Sequence, residues 1–94
     1  MDLGLQDKIA VVTGGASTIG KAIAEGLCAE GAKVIIADMD EVQAERVAAQ
    51  LCAAGHNASF VATDVGERAQ VEHLAQSVLA EHGRVDILVN GAGW

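Results

Sequence analysis

The 94-residue sequence contains no proline, no tyrosine, one phenylalanine and one tryptophan. Since 51% of its residues are nonetheless hydrophobic, the core must be built from alanine, valine, isoleucine and leucine. There is also no serine- and glycine-rich linker, so nothing marks an internal domain boundary, and the length suits one small domain. We therefore expect a single domain with an aliphatic core.

Positive charge is scarce as well, because six Lys and Arg stand against 13 Asp and Glu, for a net charge of −7. This charge argues against nucleic acid and anionic membrane surfaces as partners, since no basic stripe is available to neutralise phosphates. No apolar run approaches the roughly 20 residues of a membrane-spanning helix. Residues 1–8 lack the basic start and apolar centre of a signal peptide. We expect a cytoplasmic protein.

Cysteine is limited to Cys28 and Cys52, which lie in helical patterns without the close Cys and His spacing of a metal site. We interpret both as small, buried or half-buried thiols, with a disulfide or redox role as the alternative. No metal site is expected.

Four apolar runs alternate with helical patterns along the chain. The runs, typical of buried strands, are 8–13, 33–38, 58–63 and 85–89. Each intervening helix ends at a glycine, namely Gly31, Gly55 and Gly83. This βαβαβαβ succession predicts an α/β fold with a parallel sheet covered on both faces, the less apolar third strand lying at an edge.

Two helices carry further signals. Asp40 and Gln43 resemble a capping box at the start of the second helix. In the first helix, an apolar stripe predicts the face against the sheet, with Gly26 allowing a close approach. That stripe comprises Ile19, Ala22, Ile23, Gly26 and Leu27.

A glycine-rich loop between the first strand and the first helix predicts a phosphate-binding site. Glycines allow a sharp turn and close approach of a ligand, and the helix that follows directs free N–H groups and its positive dipole end at an anion. Asp38, Asp64 and Asn90 follow the ends of the other three strands. Ligands of parallel sheets bind at the carboxyl ends of the strands, so these features are expected to converge on one rim.

Two nucleotide-binding motifs compete for this loop. Residues 15–21 match the G-x-x-x-x-G-K pattern of a P-loop phosphotransferase, but Ala22 stands where that motif needs Ser or Thr for magnesium. Asp38 favours a dinucleotide fold instead, because an acidic residue at the end of the second strand accepts hydrogen bonds from an adenosine ribose.

The chain resembles the N-terminal part of a classical short-chain dehydrogenase/reductase. The family's T-G-x-x-x-G-x-G signature corresponds to residues 13–20, and its N-N-A-G signature to residues 90–93. Asp64-Val65 and the run 83–89 also follow the family pattern. The resemblance covers essentially all 94 residues. It implies a Rossmann-type doubly wound sheet, of which residues 1–94 form the N-terminal part of one dinucleotide-binding domain without its catalytic part.

The resemblance also implies which residues bind NAD. Gly14, Ser17, Thr18, Ile19 and Gly20 would line the pyrophosphate and the nearby ribose, and Asp38, with Met39 beside it, would bind the adenosine ribose. Asp64 and Val65 would flank adenine, and Asn90, Ala92 and Gly93 would border the cofactor farther along the rim. For Asp38, Asp64 and Asn90 a cap or turn role is the alternative, and Asp86 is interpreted as structural.

Cofactor choice follows from charge. The Asp38 carboxylate would repel the 2′-phosphate of NADP, and neither Ser17 nor Met39 supplies a cation, so we predict NAD. Thr18 departs from the family by replacing its second glycine. Its bulk is expected to weaken binding of the pyrophosphate, and the alternative is that its hydroxyl adds a phosphate hydrogen bond and caps the helix. Gly91 replaces the second Asn of N-N-A-G, a smaller departure.

The sequence is compatible with three functions. The first, implied by the resemblance, is hydride transfer between NAD and an alcohol or ketone substrate. The Ser, Tyr and Lys that the family uses for acid/base chemistry follow the N-N-A-G loop, so we name no catalytic residue and expect this chain alone to be inactive. The second is a non-catalytic nucleotide-binding or interaction fragment, and the third is the P-loop phosphotransferase. An uncovered fourth strand would favour pairing, so we also expect a homo-oligomer or another chain segment.

Overall fold

The computed structural model describes residues 4–91, which form alternating strands and helices. The elements are β1 Ile9–Thr13, α1 Thr18–Ala29, β2 Lys33–Asp38, α2 Glu41–Ala53, β3 Ala58–Ala62, α3 Arg68–His82 and β4 Ile87–Asn90. The predicted succession is confirmed. β2 has the predicted bounds. The bounds of the other strands differ by one or two residues from those expected, the largest shift being at β4, which begins at Ile87 rather than Val85.

The four strands are parallel and lie in the order β3-β2-β1-β4. Within the described chain β3 is an edge strand, as its weaker hydrophobicity predicts. The chain passes outward from β1 through β2 to β3 and then crosses to the other side of β1. The order therefore reverses at β1, and in parallel sheets this is where ligands bind, beyond the carboxyl ends of the strands.

Helices cover both faces of the sheet, because the reversal at β1 sends the third crossover over the opposite face. One core lies under α1 and α2, where Val12 and Ile36 of the sheet meet Ala24 and Leu51. The other lies under α3, where Val11 and Ile35 meet Leu74 and Val78. All five residues of β1 are buried, as a continuous apolar run requires.

The face that α1 turns toward the sheet differs from the predicted one. Gly20, Ala24 and Cys28 are buried, whereas Ile19 is 73% exposed. A Cβ placed on Gly26 would meet no atom within 4 Å, so the expectation that Gly26 allows a close approach is wrong. Apolar residues lie on most sides of this helix, so hydrophobicity does not select one face. The close packing of Gly20 against the loop decides which face meets the sheet.

The helix ends follow their sequence signals more closely. The Asp40 side chain accepts a hydrogen bond from the backbone N–H of Gln43 at 3.1 Å and caps α2. Helix α3 has no side-chain cap at Glu67 but ends at Gly83, whose φ of 79° is left-handed. Leu74 and Val78 are the buried residues of α3, whereas Leu79 is 52% exposed.

The two thiols are free. Burial raises the pKa of the Cys28 thiol, which lies in the core under α1 and α2. Cys52 is exposed, so the expectation of a buried or half-buried thiol is wrong for this residue; its Sγ lies 3.1 Å from the carbonyl oxygen of Ala58. Between residues 4 and 91 no helix is long and apolar enough to cross a membrane.

Candidate functional site

The loop after β1 is held by its own hydrogen bonds. Gly14 has a φ of 67°, which a residue with a side chain rarely adopts. The Ser17 hydroxyl donates to the Gly14 carbonyl oxygen at 2.7 Å and accepts from the N–H of Gly20 at 3.1 Å, so it closes the loop and caps α1. In the first turn of α1, the N–H groups of Thr18 and Ile19 precede any acceptor within the helix. They form the positively polarised end expected of an anion site.

Gly15 in this loop and Gly20 in the first turn of α1 have no space for a side chain. A Cβ on Gly20 would collide with the Gly14 carbonyl oxygen and would lie 2.8 Å from the Gly15 Cα. A Cβ on Gly15 would lie 2.9 Å from Cγ2 of Ile36 and 3.0 Å from the Val12 carbonyl oxygen. The lack of side chains at these two positions therefore lets the loop pack closely against β1, β2 and α1.

Thr18, in place of the family's second glycine, is the first residue of α1. Its side chain is exposed and lines the groove between α1 and α2. Ile19 and Met39 are also exposed, by 73% and 71%, at the same rim. Large apolar side chains in such a position are available for contact with a ligand.

Asp38 joins the end of β2 to the glycine loop. Its Oδ2 accepts a hydrogen bond from the N–H of Ala16 at 3.0 Å, and its Oδ1 accepts one from the N–H of Asp40 at 2.9 Å. The N–H of Gly14 donates to the carbonyl oxygen of Ala37 at 2.8 Å, so the loop and β2 are bonded at two points. A pocket of about 240 Å³ opens here, lined by Ala16, Ser17, Asp38, Asp40 and Gln43.

Asp64 and Val65 follow β3, the strand that pairs with β2. Just before them, the N–H of Thr63 donates to the carbonyl oxygen of Asp38 at 2.8 Å. The Asp64 carboxylate accepts a hydrogen bond from the N–H of Gly66 at 2.9 Å, and its own N–H donates to the Gln70 side chain at 2.8 Å. These bonds form the turn that enters α3. The turn role is therefore observed for Asp64, and the role beside adenine stays a prediction.

Asn90, at the end of β4, is bonded to the neighbouring strand. The Thr13 hydroxyl donates to its Oδ1 at 2.9 Å and also lies 3.2 Å from the Val89 carbonyl oxygen. The N–H of Gly91 donates to the Thr13 carbonyl oxygen at 2.9 Å, and a Cβ on Gly91 would lie 2.8 Å from that atom. Glycine in place of the family's second Asn thus fits a tight position. Ala92 and Gly93 lie outside the described residues.

The opposite end of the sheet carries a purely structural carboxylate. Asp86 Oδ2 accepts from the N–H of Ile9 and from Nε of Arg84, both at 2.8 Å. The Ile9 N–H, followed by the Arg84 guanidinium, holds the pKa of Asp86 below its usual range. These contacts agree with the structural interpretation of Asp86. Among residues 4–91 no group of three or more His, Cys, Asp or Glu is arranged to hold a metal ion.

Sequence reasoning missed three contributors to the site. Ala16 offers the N–H that Asp38 binds, Thr13 fixes Asn90, and Gln70 fixes the backbone of Asp64. Backbone donors and cross-strand partners leave no motif in a sequence. A threonine closing a strand beside a glycine loop is the one signal that was available.

A parallel sheet whose order reverses at a glycine loop, with a carboxylate at the end of the next strand, is the arrangement of the Rossmann-like class of α/β proteins. The family model described as "short chain dehydrogenase" matches residues 8–94. The chain therefore belongs to the short-chain dehydrogenase family.

The similarity to a known relative extends over nearly all of this chain but over only part of the relative. The chain is 46% identical over 93 residues to D-threitol dehydrogenase of Mycolicibacterium smegmatis, covering 98% of this chain and 35% of the relative. It is thus about a third as long as that curated relative.

Solved structures extend the comparison to the fold. A short-chain dehydrogenase/reductase from Burkholderia phymatum in complex with NAD superposes with a TM-score of 0.86 at 40% identity, covering 89% of this chain and 30% of that one. A metagenomic short-chain oxidoreductase in complex with NADP superposes with a TM-score of 0.89 at 38% identity, covering 96% and 41%. Family members of this similarity therefore bind nicotinamide dinucleotides, of either kind.

Proposed function

We propose that residues 1–94 form the NAD(H)-binding N-terminal part of one Rossmann domain in a short-chain oxidoreductase that acts on an alcohol or ketone. The observation that carries the proposal is the Asp38 carboxylate bonded to Ala16 of the glycine loop, above a pocket of about 240 Å³. This bond supports the proposal because it holds a hydrogen-bond acceptor, available in principle to ribose hydroxyls, against the glycine loop that precedes α1.

The residues present fit a dinucleotide. The glycines keep the loop free of side chains, and the first-turn N–H groups of Thr18 and Ile19 would hold the pyrophosphate. Asp38 would accept hydrogen bonds from the adenosine ribose, and the exposed Met39 would contact the adenosine. Asp64, Val65 and Asn90, together with Ala92 and Gly93, would complete the rim. When bound, the nicotinamide supplies hydride exchange with the substrate carbon.

Asp38 also supports a preference for NAD over NADP, since a 2′-phosphate beside a carboxylate meets like-charge repulsion. The 94 residues contain no tyrosine, so a tyrosine proton donor for hydride transfer would have to come from outside them. We propose that this chain binds the cofactor and that the substrate, the acid/base residues and oligomeric contacts belong to the intact protein.

Binding of NAD to the intact protein, measured by isothermal titration calorimetry, tests this assignment. Asp38→Ala is expected to weaken NAD binding by about tenfold or more, because the hydrogen bonds of a charged acceptor are lost. Glu41→Gln removes a nearby carboxylate that does not line the pocket and is expected to leave the affinity unchanged. Equal affinities for the wild type and Asp38→Ala would contradict the proposed ribose site, and absence of NAD-linked hydride transfer in the intact protein would favour a non-catalytic nucleotide-binding role.

A further inference from the structure

The turn between β3 and α3 is held by Gln70, a side chain that belongs to neither signature of the family. The N–H of Thr63 still bonds to β2, through the carbonyl oxygen of Asp38. The next N–H along the chain, that of Asp64, donates instead to Oε1 of Gln70 at 2.8 Å. Gln70 lies in the first turn of α3. Its side chain therefore ties the end of the third strand to the start of the third helix.

Further hydrogen bonds close the same turn. The carbonyl oxygen of Asp64 accepts from the N–H of Glu67 at 3.0 Å, and its Oδ1 accepts from the N–H of Gly66 at 2.9 Å. The backbone N–H of Gln70 donates to the carbonyl oxygen of Glu67 at 3.0 Å. Glu67 is the N-cap residue of α3 but makes no side-chain capping bond. The side-chain link from this helix to the turn is thus the one made by Gln70.

This turn lies at the carboxyl end of the sheet, beside the proposed ribose site. Ala62 is the register partner of Asp38, and Asp64 follows it by two residues. The Asp64 side chain is half-buried, and within residues 4–91 its Oδ2 accepts no hydrogen bond. A carboxylate oxygen in this state can accept a hydrogen bond from the amino group of adenine.

We propose that Gln70 is a positioning residue of the dinucleotide site, which holds the Asp64–Val65 turn in the conformation that receives the adenine ring. The inference rests on the proposed function, and it adds a residue that acts through Asp64 rather than by contact with the cofactor. Without the Gln70 oxygen, the N–H of Asp64 loses its acceptor and the carboxylate is less well oriented. A turn that is already ordered binds more tightly, because less conformational freedom is lost on binding.

The experiment compares variants of the intact protein by titration calorimetry. Gln70→Leu removes the acceptor at similar side-chain length, whereas Gln70→Glu keeps an oxygen at this position. Gln76→Leu makes the same change at another exposed position of α3 and is the matched control. Each protein is titrated with NAD and with nicotinamide hypoxanthine dinucleotide, which carries an oxygen in place of the adenine amino group. Circular dichroism verifies folding, and Gln70→Ala replaces Gln70→Leu if the leucine variant is unfolded.

Gln70→Leu is expected to bind NAD about fivefold more weakly, the effect of losing one hydrogen bond. Its affinity for the hypoxanthine dinucleotide should change little, because that ligand offers no amino group to Asp64. The preference for NAD over the hypoxanthine dinucleotide therefore falls in Gln70→Leu, and it is retained in Gln70→Glu and Gln76→Leu. A merely structural role for Gln70 would weaken the binding of both dinucleotides equally.

Four results would overturn the proposal: an unchanged NAD affinity in Gln70→Leu, an equal loss for the two dinucleotides, the same loss in Gln70→Glu or Gln76→Leu, or no preference for NAD in the wild type. If the wild type binds NAD in these cases, the proposed function stands and only the role of Gln70 fails. If the wild type binds neither dinucleotide, both are refuted.

Discussion

Replacing Gly20 and Gly26 of α1 by alanine should change the free energy of unfolding in opposite directions, although helix propensity alone predicts the same effect for both. Replacing an exposed helical glycine by alanine stabilises a protein by about 0.5–1 kcal/mol, because glycine loses more backbone entropy on folding. Gly26 meets this condition, since a Cβ on it would contact nothing within 4 Å. Gly26→Ala should therefore raise the free energy of unfolding by about that amount.

Gly20 has the same intrinsic preference but a different environment. Its Cβ would collide with the Gly14 carbonyl oxygen and would lie 2.8 Å from the Gly15 Cα, and both atoms belong to backbone that cannot rotate away. Overpacking of this kind costs about 1–3 kcal/mol, which exceeds the entropic gain. Gly20→Ala is expected to lower the free energy of unfolding by about 1–2 kcal/mol and to weaken NAD binding, since relief of the clash must displace the loop.

Urea unfolding followed by circular dichroism at 222 nm measures both effects in the intact protein, and calorimetry measures NAD affinity. A neutral or stabilising Gly20→Ala would refute the close approach of α1 to the loop. A destabilising Gly26→Ala would mean that this residue faces the sheet after all, as the apolar stripe of the sequence suggested.

Three further substitutions test other parts of the structure. The pKa of Asp86 is lowered in the folded state, so its contribution to stability is present above its unfolded pKa and is lost as the pH falls through its folded pKa. Asp86→Asn should therefore make the free energy of unfolding fall less steeply at acidic pH. An unchanged decrease at acidic pH would contradict this. Thr18→Gly should tighten NAD binding in a titration if its bulk hinders the pyrophosphate, and an unchanged affinity would remove the steric argument. Thr13→Val removes the hydroxyl bonded to Asn90 and should cost about 1 kcal/mol in urea unfolding, whereas no loss would make that bond energetically irrelevant.

The elements of the fold were predictable because they depend on local patterns. Continuous apolar runs mark strands buried on both faces, as the complete burial of β1 illustrates, and a glycine ends each helix. The position of Asp38 at the rim was predictable for the same reason, since it directly follows a strand.

The orientation of α1 was not predictable from hydrophobicity. Small apolar residues occur on most sides of this helix, so the stripe containing Ile19 and Gly26 and the buried set Gly20, Ala24 and Cys28 are nearly equivalent in pattern. A contact between backbone atoms of Gly14 and Gly20 decides between them, and backbone proximity has no periodicity.

The hydrogen bonds of Asp38 explain how one residue can serve both the loop and a ligand. An ionised carboxylate has about four lone-pair sites. Two are occupied by the N–H groups of Ala16 and Asp40, so two remain for the two hydroxyls of an adenosine ribose. The bond to Ala16 is made without a ligand, and with the Ser17 bonds it holds the loop in shape, so that little ordering remains to oppose binding. If a ribose binds here, a phosphate on one of its hydroxyls would replace a hydrogen-bond donor by an acceptor at the Asp38 carboxylate, and the cost would fall on the ribose contact rather than on the loop. On the proposed assignment, the loop would accept the pyrophosphate of either dinucleotide, and Asp38 would discriminate between them.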